Sequence, residues 1–88
     1  MNIQVALIVA ATRRIAVAHV PREAFTDEAL EERIKVSVGQ TFKTHHVAMM
    51  MLDHNGVPTF MGTRDEVNLL ADSDFTQFPW AQFHVPPE

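Results

Sequence analysis

The dipeptide Asn55-Gly56, which stands between two apolar runs, constrains the fold more than any other feature of the sequence. Both residues tolerate positive φ, so the pair is a strong signal for a tight β-hairpin. The sequence therefore predicts one strand over residues 45–53 and a second over residues 57–62. We expect a two-residue turn, which pairs Leu52 with Thr59. The alternative is a three-residue loop with Gly56 in a bulge, which shifts the register by one residue.

Pro58 indicates where the second of these strands lies in the sheet. Proline has no amide hydrogen, so within sheets it is found on edge strands, at strand starts or at bulges. In the two-residue register Pro58 occupies a non-hydrogen-bonded pair, where the missing N–H would have pointed away from strand 45–53. The second strand is therefore predicted to lie at an edge of the sheet.

Two earlier runs, "NIQVALIVAA" and "RIAVAHV", contain many β-branched residues, which favour strands. The larger apolar side chains of the first run fall on odd positions, as in a strand with one well-buried face. An alanine-rich helix from Val5 to His19 is the alternative, because alanine has the highest helix propensity.

The length of the loop between these two strands decides which of their faces coincide. A three-residue loop over residues 12–14 pairs Ala11 with Ile15 and Val9 with Val17. It brings the bulkier odd positions together, whereas a two-residue loop would place them on opposite faces. We therefore expect the three-residue loop.

Two helices are predicted from capping signals. The segment "FTDEALEERIKVSVG", residues 25–39, has Thr26 as its expected N-cap and Gly39 as its expected stop. Its apolar stripe consists of Leu30, Ile34 and Val38. The segment "TRDE" is a capping-box pattern that opens a shorter helix through about Ala71, with Thr63 as the cap and Glu66 at its third position.

A last strand over Trp80 to Val85 completes the predicted order ββαββαβ. This order predicts a single α+β domain over residues 1–88, with a mainly antiparallel sheet of about five strands and two helices on one face. Its strands carry apolar residues on both faces. We therefore expect a homodimer that uses an uncovered sheet face or an edge.

Composition argues against several classes of function. The chain has no cysteine, which excludes disulfides, thiolate metal sites and a cysteine nucleophile. Its net charge of −4 opposes non-specific nucleic-acid binding. The apolar run Val5 to Ala11 is far shorter than the roughly 20 residues that a membrane helix needs, and no basic residue precedes it as in a signal peptide. We expect a cytoplasmic protein that binds neither nucleic acid nor membrane.

The segment "THHVAMMMLDHNG" looks like a metal site in one dimension. In a strand, however, His45 and His46 point to opposite faces, and His45 lies about 26 Å from Asp53. A first-row metal needs its donors within about 2.0–2.2 Å, so we assign no metal ligand and no cofactor to this segment and leave open a ligand role for His45, His46 and His54. Further donors would have to come from His19, His84 or a second chain.

The sequence assigns no catalytic residue. Ser37 lies in a predicted helix, and Ser73 lies in "ADSDF" without the glycine-flanked turn of a nucleophile elbow. The chain has three glycines, and they do not form a phosphate-binding loop. These absences favour a non-catalytic role.

The candidate partner-binding residues fall in two groups. Arg13 and Arg14 lie at a predicted hairpin tip, and the aromatic C-terminal segment contributes Phe78, Trp80, Phe83 and His84. The alternatives are a solvated turn for the arginines and a completed core for the rings. We expect a protein-interaction or regulatory accessory module. The other classes are a ligand- or metal-binding protein with histidines at a subunit seam, and a small acid–base enzyme.

Overall fold

The computed structural model describes residues 1–10 and 12–86, which contain a five-stranded sheet of order β4-β3-β2-β1-β5. The strands are β1 (Asn2–Ala10), β2 (Arg13–His19), β3 (Val47–Leu52), β4 (Pro58–Met61) and β5 (Ala81–His84). The helices are α1 (Glu23–Thr26), α2 (Glu28–Phe42) and α3 (Arg64–Ala71), followed by a 3₁₀ turn at Phe75–Gln77. The α+β class and the mainly antiparallel sheet are confirmed, and only β2 and β3 run parallel. The alternative helix over Val5 to His19 is wrong.

The two helices do not share one face of the sheet as predicted. Ile34 and Val38 of α2 pack on one side of the sheet, whereas Leu70 of α3 packs on the other, with Ile15 and Met50. The physical reason is that the strands are apolar on both faces, so each face needs a cover. Among residues 1–10 and 12–86, each apolar face of the sheet therefore packs against a helix, and neither is left free as the expected dimer face.

The hairpin of β1 and β2 has a shorter loop than expected. Val9 pairs with Arg14, and Leu7 pairs with Ala16, so the predicted pairing of Val9 with Val17 is wrong. The predicted partner Ala11 lies outside the described residues. Thr12 adopts a left-handed conformation with φ 67°, which suits a tight turn. Because helices cover both faces of the sheet, the side chains at odd positions of β1 can lie on the same face as those at even positions of β2.

The hairpin of β3 and β4 takes the three-residue alternative. Leu52 pairs with Pro58, and Gly56 has φ 79°, so the two-residue register is wrong by one position. The Asp53 carboxylate accepts hydrogen bonds from the amides of Asn55 (2.8 Å) and Val57 (2.9 Å), which stabilises the longer loop. The edge position of β4 is confirmed.

Helix α2 begins and ends at other residues than expected. Asp27, not Thr26, is the N-cap, and its carboxylate accepts a hydrogen bond from the Leu30 amide at 3.1 Å. The helix continues through Gly39 and ends before Lys43, which is left-handed with φ 54°. Gly39 instead permits a close approach, because a Cβ there would lie 3.0 Å from the Thr44 carbonyl oxygen.

The predictions for α3 and β5 are confirmed. Thr63 and Glu66 form both hydrogen bonds of the capping box, and α3 ends at Ala71. Strand β5 lies within the predicted range, with Phe83 on the α2 side and Trp80 on the α3 side. Among the described residues, no helix has both the length and the apolar character to cross a membrane.

Candidate functional site

The outer side of β5 presents unpaired backbone groups. The Val85 amide donates to the Met1 carbonyl at 2.7 Å, so the odd residues along this part of the chain direct their N–H and C=O groups toward β1. Gln82 and His84, which alternate with them, direct theirs away from the sheet. Within residues 1–10 and 12–86, no strand pairs with this outer side, because β5 is the last strand in the sheet order.

The opposite edge of the sheet is built differently. The Asp53 amide donates to the Val57 carbonyl at 3.0 Å. The backbone N–H and C=O groups of odd residues in β4 are therefore directed toward β3, whereas the backbone groups of Pro58 and Phe60 are directed away from the sheet. Pro58 has no N–H, and proline on an edge is a common device against pairing with another strand. Strand β5, Ala81–His84, contains neither proline nor a charged residue. Of the two edges, β5 is therefore the one on which each outward-facing strand residue has an N–H to donate.

A polar surface adjoins β5 on the α3 side of the sheet. Gln4 pairs with both His19 and Gln82, and Asn2 pairs with His84, so these side chains share one face. We call this set, Asn2, Gln4, His19, Gln82 and His84, the amide–histidine patch. All of its members except the half-buried His19 are exposed. The His84 Nδ1 donates to Asn2 Oδ1 at 2.9 Å.

The aromatic candidates lie in the core or at the margin of the patch. Trp80 is half-buried, its Nε1 donates to the Phe75 carbonyl at 2.9 Å, and its ring lies 6.0 Å from His19 and 5.8 Å from Phe78. Phe83 lies on the other face, 6.0 Å from Phe42. The structure therefore uses Phe78, Trp80 and Phe83 to complete its two cores, and only part of Trp80 and Phe78 is accessible.

The arginine candidates lie far from the patch along β2, at the opposite end of that strand from His19. Arg13 Nη1 is 3.6 Å from Asp65 Oδ2, and Arg14 Nη2 donates to the Phe42 carbonyl at 3.2 Å. The structure thus brings His84 together with the patch but does not unite it with Arg13 and Arg14. A role for these residues in partner binding stays a prediction.

A carboxylate–imidazole pair at this other end was not expected from the sequence. Glu66 is only 2% exposed, and its Oε2 lies 3.2 Å from His46 Nδ1. Such pairs occur in acid–base sites, but the nearby Thr44 hydroxyl already donates to the Arg14 carbonyl at 2.7 Å. The Ser73 hydroxyl likewise donates to the Leu69 carbonyl at 2.9 Å. The hydrogen atoms of both hydroxyls are therefore already engaged by backbone carbonyls.

An open groove of about 980 Å³ runs beside this pair, between α2 and the start of α3. Its charged walls include Lys35, Lys43, Glu32 and Glu66, with the exposed His45 at its margin. Lys35 already pairs with Glu31 at 2.6 Å. Because the groove is lined by both positively and negatively charged side chains, its charge does not indicate whether a ligand would be a cation or an anion.

The described residues contain no group of three or more histidine, aspartate or glutamate side chains that could hold a metal ion. His45 and His54 are exposed, and His54 lies in the loop between β3 and β4. Comparisons of this chain with protein-family models, with curated proteins and with solved structures find no match.

Proposed function

We propose that this protein is a non-catalytic interaction module that forms a homodimer through the outer edge of β5. The observation that carries the proposal is the contrast between the two sheet edges. Pro58 interrupts the outward donors of β4, whereas Gln82 and His84 of β5 present theirs with no proline or charge beside them in the strand.

A second copy fits this edge in one favoured register. In a two-fold antiparallel pair centred on Phe83, Gln82 of each copy exchanges hydrogen bonds with His84 of the other. If the centre of the pairing moved toward the start of the strand, the Trp80 amide would have to donate to the second copy. That amide already donates to the Phe78 carbonyl at 2.8 Å. A shift the other way would require Pro86, which has no N–H. The centred register uses only donors that are available.

The same register brings apolar surface together. Phe83 would meet its own symmetry mate in a non-hydrogen-bonded pair, where opposite side chains approach closely. Phe42 already lies 6.0 Å from Phe83 and would flank the aromatic pair. Because β5 has only four residues, the contact is smaller than the roughly 1,200–2,000 Å² of stable complexes. We therefore expect a dimer that dissociates on dilution.

The experiment is to replace Gln82 by proline and measure the molar mass by light scattering from micromolar to millimolar concentration. The substitution removes an outward amide and leaves the hydrogen bonds of β5 to β1 in place, since those come from odd residues. The unmodified chain is expected to dimerise as concentration rises, and Gln82→Pro is expected to stay monomeric with an unchanged circular dichroism spectrum.

Val9→Pro is the matched control. Val9 is 72% exposed, and its amide points to the same side of β1 as β5, but β5 pairs with β1 only as far as Val5. This variant loses a similar outward amide without touching the proposed seam and should dimerise normally. A folded Gln82→Pro variant that dimerises like the unmodified chain, or a wild-type chain that is monomeric at millimolar concentration, would refute the proposal.

The proposal includes a regulatory or accessory role in the cytoplasm. The absence of cysteine is compatible with a reducing compartment. The amide–histidine patch would extend across the dimer on the α3 side, since Gln82 and His84 of both copies would share that face. This enlarged neutral, hydrogen-bonding surface is where we expect a protein partner to bind.

A further inference from the structure

We infer that the β5 seam binds a first-row divalent transition metal ion, such as Zn²⁺, through His84 of both copies. The inference rests on the proposed dimer and goes beyond it, because it assigns a ligand to the seam. The second copy is needed, since His84 is the single histidine that one chain contributes at this edge.

The hydrogen bond between His84 and Asn2 prepares the imidazole for a metal. Asn2 Oδ1 can only accept, so the hydrogen lies on His84 Nδ1 and the Nε2 lone pair is available. A metal-bound histidine nearly always donates its other ring N–H to an oxygen in this way, which orients the ring and fixes the tautomer. His84 is also exposed, so an ion can reach it.

The proposed register brings the two imidazoles within reach of one ion. With Phe83 at the centre, His84 of one copy lies diagonally across the seam from His84 of the other, on the same face. Diagonal neighbours in an antiparallel pair are about 7–8 Å apart. Two imidazoles pointing toward each other can span that separation with Zn–N distances of about 2.0–2.1 Å. Water can complete the coordination, because the surrounding patch is open to solvent.

The chemistry of the donors selects the class of metal. The amide–histidine patch has no carboxylate, so Ca²⁺ and Mg²⁺, which prefer charged oxygen ligands, are poor occupants. Neutral imidazole suits Zn²⁺, Ni²⁺ and Cu²⁺. His46, whose ring lies beside Glu66, is at the start of the interior strand β3 and not at the β5 edge, so the proposed pairing does not bring two copies of it together.

The test uses the full-length chain, stripped with a chelator and titrated with zinc alone. Isothermal titration should find one ion per dimer, and light scattering should show the dimer dissociation constant falling about tenfold as zinc saturates the seam. His84→Gln should abolish both effects. His45→Gln, which removes an exposed histidine from the other end of the sheet, should leave both intact.

Asn2→Ala adds a readout that a purely structural role would not change. Loss of an outer hydrogen bond of this kind lowers metal affinity by about 10–100-fold, so the variant should bind zinc more weakly while it dimerises normally in chelator. Dimerisation in chelator that zinc does not strengthen, or equal zinc binding by His84→Gln, overturns the inference and leaves the proposed dimer standing. A chain that is monomeric with and without zinc overturns the dimer itself.

Discussion

Replacing Ile34 with alanine is expected to lower the free energy of unfolding by about 2–5 kcal/mol, and replacing Leu70 with alanine is expected to have an effect of similar size. Both side chains are fully buried, but Ile34 packs on the α2 side of the sheet and Leu70 on the α3 side. Each substitution removes methyl groups and leaves a cavity that its surroundings fill only partly. Urea unfolding followed by circular dichroism measures both losses.

Val36→Ala is the matched control, because Val36 lies on the same helix as Ile34 but is 46% exposed. Its substitution should change stability by no more than about 0.5 kcal/mol. A loss for Leu70→Ala as small as that of the control would contradict the proposed packing. It would mean that α3 does not seal its face of the sheet, and that this face, not the β5 edge, is free to receive a partner.

Glu66→Ala is expected to cost about 1–3 kcal/mol, because it removes two hydrogen-bonding contacts that each contribute about 0.5–1.5 kcal/mol. The Glu66 carboxylate serves two groups, since Oε1 accepts from the Thr63 amide at 3.4 Å and Oε2 lies 3.2 Å from His46 Nδ1. Alanine removes both contacts and opens space beneath the start of α3. The measurement is again the free energy of unfolding in urea.

Glu66→Gln keeps the shape and one acceptor oxygen, so it should cost less than half as much as Glu66→Ala. Asp65→Asn is a neighbouring control on the same helix turn, where the side chain is 72% exposed, and it should change stability by no more than about 0.5 kcal/mol. Equal effects of the alanine and glutamine variants would mean that the capping-box oxygen of Glu66 does not stabilise the start of α3.

Local signals in the sequence predicted much of the fold. The capping box at Thr63 and Glu66 acts within a single turn, and Pro58 identified its own strand as an edge. Asn55-Gly56 predicted the hairpin but not its loop length, because the Asp53 carboxylate stabilises the longer loop through two amides. The cap of α2 is Asp27 and not Thr26. Two neighbouring residues could serve as the cap, and the sequence alone does not show which one does.

Placement of the elements depends on contacts that no local pattern contains. Apolar residues on both sides of the strands indicate that both faces of the sheet must be covered. They do not indicate that α2 packs on one face and α3 on the other. Of the patch, the sequence identified His84 as a partner-binding candidate and His19 and His84 as possible further metal donors, but neither Asn2, Gln4 nor Gln82. Asn2 and His84 meet only because β5 pairs with β1 across a separation of 82 residues. Their alternation with apolar neighbours was visible, but the pairing that joins them was not.

The most direct test of the β5 edge as the interface is amide hydrogen exchange by nuclear magnetic resonance at several protein concentrations. Gln82 and His84 should be weakly protected in dilute solution and increasingly protected as concentration rises. Phe60, whose amide faces outward on the β4 edge, should exchange quickly throughout. If Gln82 and His84 exchange as quickly as Phe60 at every concentration, no second strand pairs with β5 and the proposed dimer is contradicted.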